Sequence, residues 1–224
     1  MLTIDVVSDV ICPWCFIGKR RLEKALGNRA ATVRWHPFQL NPDMPREGID
    51  RKSYRIRKFG SWGRSQELDA RVAAAGEDVG VAFHFERQSR TPNTLDAHRV
   101  IWLAGERGVQ DAAVEALFLA YFTDGRDLSD GVTLAEIAAG AGLDRAEADA
   151  LLSGDKGLDV IQAGEERARR LGVSGVPFFV VNGRVALSGA QPPELFRQAF
   201  ERTGDAIVGG DACDVDQATG KRGC

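Results

Sequence analysis

A short apolar strand that runs straight into two cysteines spaced three apart, and from there into a helix, constrains this chain more than any other feature. Residues 2–7 read LTIDVV, a buried-strand pattern, and Cys12-Pro13-Trp14-Cys15 follows within a few residues. A helix is expected over residues 13–26, ended by Gly27-Asn28. Residues 32–38 (TVRWHPF) read as a second strand, with Pro37 placing it near an edge or at its end. Strand, helix and strand in so short a stretch open a βαβ unit, which predicts a parallel pair with a right-handed crossover.

The chemistry of the cysteine pair follows from where it sits. The first turn of a helix has unpaired N–H groups and a partial positive charge, so a thiolate at Cys12 is favoured there. Pro13 suits the first helical position, where no N–H is missed. Cys15 lies on the same helical face, within the reach a disulfide requires. Gly18, Leu22 and Ala25 continue that face, and Gly18 lets the helix approach a sheet closely. Cys15 is therefore expected to be the more buried sulfur and Cys12 the exposed nucleophile. A Cys-x-x-Cys motif is also half of a zinc site. The remaining cysteines, Cys213 and Cys224, are spaced unlike a second knuckle, and His36, His84 and His98 stand alone, so no metal is expected.

The rest of the chain changes character twice. Residues 41–57 are polar and contain Pro42 and Pro45, which reads as loop. Helical patterning then runs through 67–80, 93–108, 111–122, 133–141, 144–152 and 156–171, with Asp144 and Glu147 as a capping box and Gly172 as a terminating glycine. Residues 177–181 and 184–188 flank Asn182-Gly183, a type I′ hairpin signal, and Pro192-Pro193 start a last helix. The order βαβ, helical block, ββα gives an α/β protein with a four-stranded mixed sheet and a helical insertion. Residues 1–45 and 173–204 make the sheet domain, 46–172 the inserted helical domain, and 205–224 a C-terminal extension rich in Gly and Asp.

The segments DVVSDVICPWCFIGKRRLEKAL and GVSGVPFFVVNGRVALSGAQ resemble the active-site helix and the cis-proline loop of DsbA-like thioredoxin-fold oxidoreductases. HPFQLNPD and PNTLDAHR resemble the FrnE-type subgroup of that branch. The resemblance implies a thioredoxin fold, with Cys12 as attacking thiolate and Cys15 as resolving thiol. It also implies a cis Val176-Pro177 bond beside the pair, with Val176 offering its backbone to a bound peptide. Asp5 aligns with the buried acid of the branch, where it either passes protons to Cys15 or is simply a strand-edge residue. Asn93, His98 and Arg99 match the subgroup motif and read as caps and packing. Trp14 stands where the periplasmic enzymes carry a charged-state-capable histidine, so their oxidising strength is not carried over.

These readings predict a protein disulfide oxidoreductase or isomerase acting by mixed-disulfide exchange on protein or peptide disulfides, with an unidentified reducing partner and no tightly bound cofactor. Related kappa-class glutathione transferases and 2-hydroxychromene-2-carboxylate isomerases supply an alternative, in which glutathione is the co-substrate. In those enzymes a serine typically stands where this chain has Cys12. A redox-independent chaperone or binding module is the non-enzymatic alternative. Cys213 and Cys224 are candidates for a secondary redox pair, against a structural clip or two incidental thiols. The formal net charge of -3 argues against a nucleic-acid arm, and no stretch reaches the apolar length of a membrane span. The start MLTIDVVSDV has no basic n-region or long apolar h-region, so a cytoplasmic location is expected.

Overall fold

The computed structural model describes residues 1–204. Strand β1 (Leu2–Ser8) leads into helix α1 (Pro13–Leu26) and back to β2 (Ala31–Pro37), which pairs with β1 in parallel from Leu2 opposite Ala31 to Ser8 opposite Pro37. Strands β5 (Phe178–Val181) and β6 (Val185–Ser188) return antiparallel, and α9 (Pro193–Gly204) follows. The sheet order is β2-β1-β5-β6, so β1 is interior, with Ile4 and Val6 fully buried. This is the expected four-stranded mixed sheet. The hairpin turn forms as its sequence predicts: Asn182 and Gly183 both take positive φ, at 49° and 66°. Asn182 adds a tie of its own, its side-chain oxygen accepting the Thr3 N–H at 2.8 Å.

Between the two halves lie β3 (Ile49–Asp50), α2 (Arg51–Phe59), α3 (Trp62–Glu77), β4 (Arg90–Thr91), α4 (Leu95–Glu106), α5 (Gln110–Phe122), α6 (Gly131–Gly140), α7 (Arg145–Ser153) and α8 (Leu158–Arg170). Strand β3, which pairs with β4, and helix α2 occupy part of the 41–57 stretch the sequence marks as loop. The helix forms because Asp50 accepts the Ser53 N–H at 2.8 Å, and Gly60, at φ 88°, stops it. Its inward face is Arg51 and Tyr54 rather than aliphatic, so apolar periodicity does not reveal it. Helix α3 starts five residues before its expected position, capped by Ser61 accepting the Arg64 N–H.

One apolar cluster takes side chains from both halves of the fold. Phe16 of α1 stacks on Phe118 of α5 with centroids 5.0 Å apart, and Phe122 and Phe83 complete the group. Each of these buried rings contributes roughly 1.5–3 kcal/mol by leaving water. On the sheet side, Gly18 sits against Phe179 and Pro177. A Cβ at Gly18 would lie 3.0 Å from Phe179 Cζ and 3.1 Å from Pro177 Cγ. Phe179 is itself fully buried and has no room to retreat. Gly18→Val is therefore expected to lower stability by about 1–3 kcal/mol through overpacking. Urea unfolding would show this as a lower midpoint at unchanged slope, and an unchanged midpoint would mean that the helix does not press on the sheet here.

Candidate active site

The two cysteines meet where β1 ends and α1 begins. Cys12 is the N-cap residue of α1, and Pro13 takes the first helical position. The turn is held by its backbone: the Cys12 N–H donates to the Asp9 carbonyl at 3.0 Å, and the Cys15 N–H to the Cys12 carbonyl at 3.0 Å. Both cysteines are free thiols, Cys15 fully buried and Cys12 only 5% exposed. The order of burial is as expected, but Cys12 is not an exposed nucleophile. It reaches the outside through the wall of a groove of about 440 Å³ that it lines with Ile11, Trp14 and Leu40.

The Cys12 sulfur also finds a different partner from the expected helix N–H groups. Its side chain makes no capping bond; the S–H instead donates to the Val176 carbonyl, 3.6 Å away. A neutral thiol is a donor and turns to an acceptor, while Pro13 offers no N–H at the first position. Val176-Pro177 is cis, with Pro177 buried and Val176 half-buried, so the loop does lie beside the pair. Trp14 points outward, 41% exposed, and Pro13 is partly covered.

Burial pushes the Cys15 thiol well up from its usual range, and the Cys12 sulfur adds to this through a hydrogen bond and its charge. Ser8 and the Asp9 backbone pull it the other way. Asp5 is not among these neighbours. Side chains alternate along a strand, and Asp5 lies on the face opposite Ile4 and Val6, which share an apolar cluster with Cys15. Its carboxylate is 2.8 Å from His36 Nε2 on β2. Asp5 thus sits on an interior strand, away from Cys15, and pairs with His36.

The buried acid near the pair is Asp9, which sequence reasoning passed over. One oxygen accepts the Leu40 N–H at 2.7 Å; the other is 3.5 Å from His98 Nε2, and neither of those two facing atoms has another partner among the described residues. Its signal in the sequence was an acid in the turn immediately before the motif, past the last residue of β1. Asn93 and Arg99 have the capping and packing roles expected. Asn93 accepts the Leu95 N–H, and Arg99, fully buried, donates to the carbonyls of Leu151, Gly154 and Lys156. The groove wall supplied by α2, with Tyr54, Arg55 and Lys58, was also missed, along with the helix itself. Cys213 and Cys224 lie outside the described residues.

The DSBA-like thioredoxin domain family matches residues 3–201. The crystal structure of a probable DsbA oxidoreductase, SCO1869 from Streptomyces coelicolor, is 33% identical, with a TM-score of 0.85 over 96% of this chain and 97% of that one. The uncharacterized protein YwbO of Bacillus subtilis is 28% identical over 198 residues, covering 88% of this chain and 94% of its own. A 2-hydroxychromene-2-carboxylate isomerase shares the fold at 16% identity and a TM-score of 0.70, over 91% of this chain and 97% of that one.

The contrast between the cysteines has a direct readout. A thiol pushed up by burial is mostly protonated at mildly alkaline pH, and the thiolate is the form that alkylates. Iodoacetamide should therefore modify Cys12 faster than Cys15 in the native protein, and urea should remove the difference. Peptide mass spectrometry that found equal native rates would contradict the asymmetry.

Proposed function

Because the chain belongs to the DSBA-like thioredoxin domain family, we propose that it is a protein thiol–disulfide oxidoreductase working by mixed-disulfide exchange through Cys12 and Cys15. The observation that carries this reading is the placement of the pair. Cys12 borders an open groove, Cys15 stands behind it in the core, and the Val176 carbonyl lies beside the Cys12 sulfur.

The Cys12 thiolate attacks one sulfur of a substrate disulfide. The substrate S–S bond breaks, and the leaving sulfur departs with the electron pair and takes a proton from solvent. Cys15 then attacks the Cys12 sulfur, breaking its bond to the substrate, and the proton Cys15 loses passes through solvent to the expelled substrate sulfur. In sum the enzyme dithiol gives two electrons and two protons to the substrate and becomes a Cys12–Cys15 disulfide. A thiol or dithiol partner reverses that change. Burial keeps the Cys15 thiol protonated at rest, and forming the mixed disulfide removes the further upward push that the Cys12 sulfur supplies. Val176 offers main-chain groups to which an extended substrate can add as a strand. In a reducing cytoplasm, the compartment the sequence suggests, the pair would rest reduced and act as reductase or isomerase.

The alternative is a glutathione-dependent isomerase or transferase on the same architecture. The single-cysteine variants separate the two. Cys15→Ser keeps the attacking sulfur and loses the resolving one, so it should accumulate disulfide-linked partners. Cys12→Ser should trap none and should lose insulin-disulfide reduction. The glutathione reading expects activity on a small electrophile that requires added glutathione and persists without Cys15. If Cys15→Ser captures no partner while the unaltered chain turns over, the roles of the two cysteines are wrong.

A further inference from the structure

The groove beside Cys12 carries a charge that exchange chemistry alone does not require. Helix α2 contributes Arg51, Arg55 and Lys58 to its lining, and α3 contributes Asp69 and Arg71. Four cations thus face one carboxylate, on a chain whose formal net charge is -3. Asp69 is already divided, one oxygen taking Arg51 at 2.7 Å and the other taking Arg55. One carboxylate does not neutralise two guanidiniums. Burial holds Arg55 below its ordinary range, and the nearby Arg51 adds to this against the pull of Asp69.

The other two cations are freer still. Among the described residues, neither Lys58 nor Arg71 makes an ion pair, and both are exposed. Lys58 donates to the Tyr54 hydroxyl at 2.7 Å, which itself donates to Asn41 at 2.6 Å, so the ammonium has donors to spare. The remaining lining is largely apolar, including Trp14, Leu40, Val72 and Phe122. A cleft with one sign of charge and low-dielectric walls concentrates counter-ions and speeds their arrival.

From this we infer that the groove selects disulfides whose half-cystine is flanked by carboxylates, so that acidic peptide disulfides are the preferred substrate class. The inference rests on the exchange reading above, which puts the reacting sulfur at Cys12 and leaves its neighbours to meet the α2–α3 wall. The volume of about 440 Å³ suits a short segment. That segment is either a loop of a larger protein or a small free disulfide with the same carboxylates.

The test uses the full chain, with dithiothreitol as recycling dithiol, and short peptide disulfides that differ only in having Glu, Gln or Lys beside the half-cystine. A carrier protein displaying the Glu-flanked disulfide in a surface loop distinguishes the two sources. At low ionic strength kcat/KM should favour the Glu peptide over the Lys peptide by about tenfold or more, with the Gln peptide between, and salt should shrink the gap. Replacing the two exposed cations together, Lys58→Glu with Arg71→Glu, should erase or reverse the order. Turnover of both the loop and the free peptide assigns the groove to protein substrates, and turnover of the free peptide alone to small anionic disulfides; both keep the charge assignment. Equal kcat/KM for the Glu and Lys peptides at low ionic strength, or a preference that survives the double replacement, overturns the inference and leaves disulfide exchange standing. Turnover of none of the peptides removes the exchange reading and this inference together.

Discussion

The closeness of helix α1 to the sheet is the contact on which the site depends. Gly18 presents no side chain to Phe179 and Pro177, so the helix lies directly on the strand and on the loop that precedes it. That approach brings the Val176 carbonyl within hydrogen-bonding reach of the Cys12 sulfur. A bulkier residue would push the helix off and part the cysteines from the loop. Phe179 is fixed from its other side by Phe196 of α9, edge-on with centroids 4.8 Å apart. The hairpin is fixed by Asn182 to β1. The cysteine-bearing turn is therefore positioned by packing that lies behind it, while the thiols themselves make few polar contacts.

The helical insertion is tied to the same helix by charge as well as by the Phe16–Phe118 stack. Lys19 is almost fully buried, yet it keeps its proton more firmly than a free lysine. Burial works against the ammonium, and Glu23, Asp111 and Glu115 together outweigh it. Asp111 also accepts the Trp35 indole N–H at 3.0 Å, so α1, β2 and α5 share one polar junction. Lys19 is buried while its carboxylate partners stay partly exposed, so removing them would leave a buried charge uncompensated, which is costly. One wall of the groove comes from the cysteine-bearing turn and another from α2 and α3.

Much of this was legible in the sequence. The strand, the motif, the helix after it and the Asn-Gly hairpin all declare themselves by patterns tied to a single backbone conformation. The order of burial of the two cysteines follows from helix-face arithmetic. What stayed hidden has a common cause. Helix α2 turns Arg51 and Tyr54 inward, and a buried arginine satisfied by Gln88 and Asp69 looks like a solvated one until the partners are in place. Asp9 sits beyond the end of β1, so strand alternation says nothing about where it points. The contact of Cys12 with the Val176 carbonyl joins residues far apart in sequence, and local reasoning favoured the nearer helix N–H groups.

The central claim is that Cys12 and Cys15 exchange reversibly between dithiol and disulfide. Equilibrating the full chain across a series of thiol–disulfide redox buffers, and scoring the Cys12–Cys15 peptide by mass spectrometry, measures this directly. The account predicts one two-electron transition, with a tenfold change in oxidised-to-reduced ratio for about 30 mV, and its loss when either cysteine is replaced by serine. A pair that remains a dithiol across the whole series, or that oxidises only by bonding to cysteines elsewhere, would contradict it.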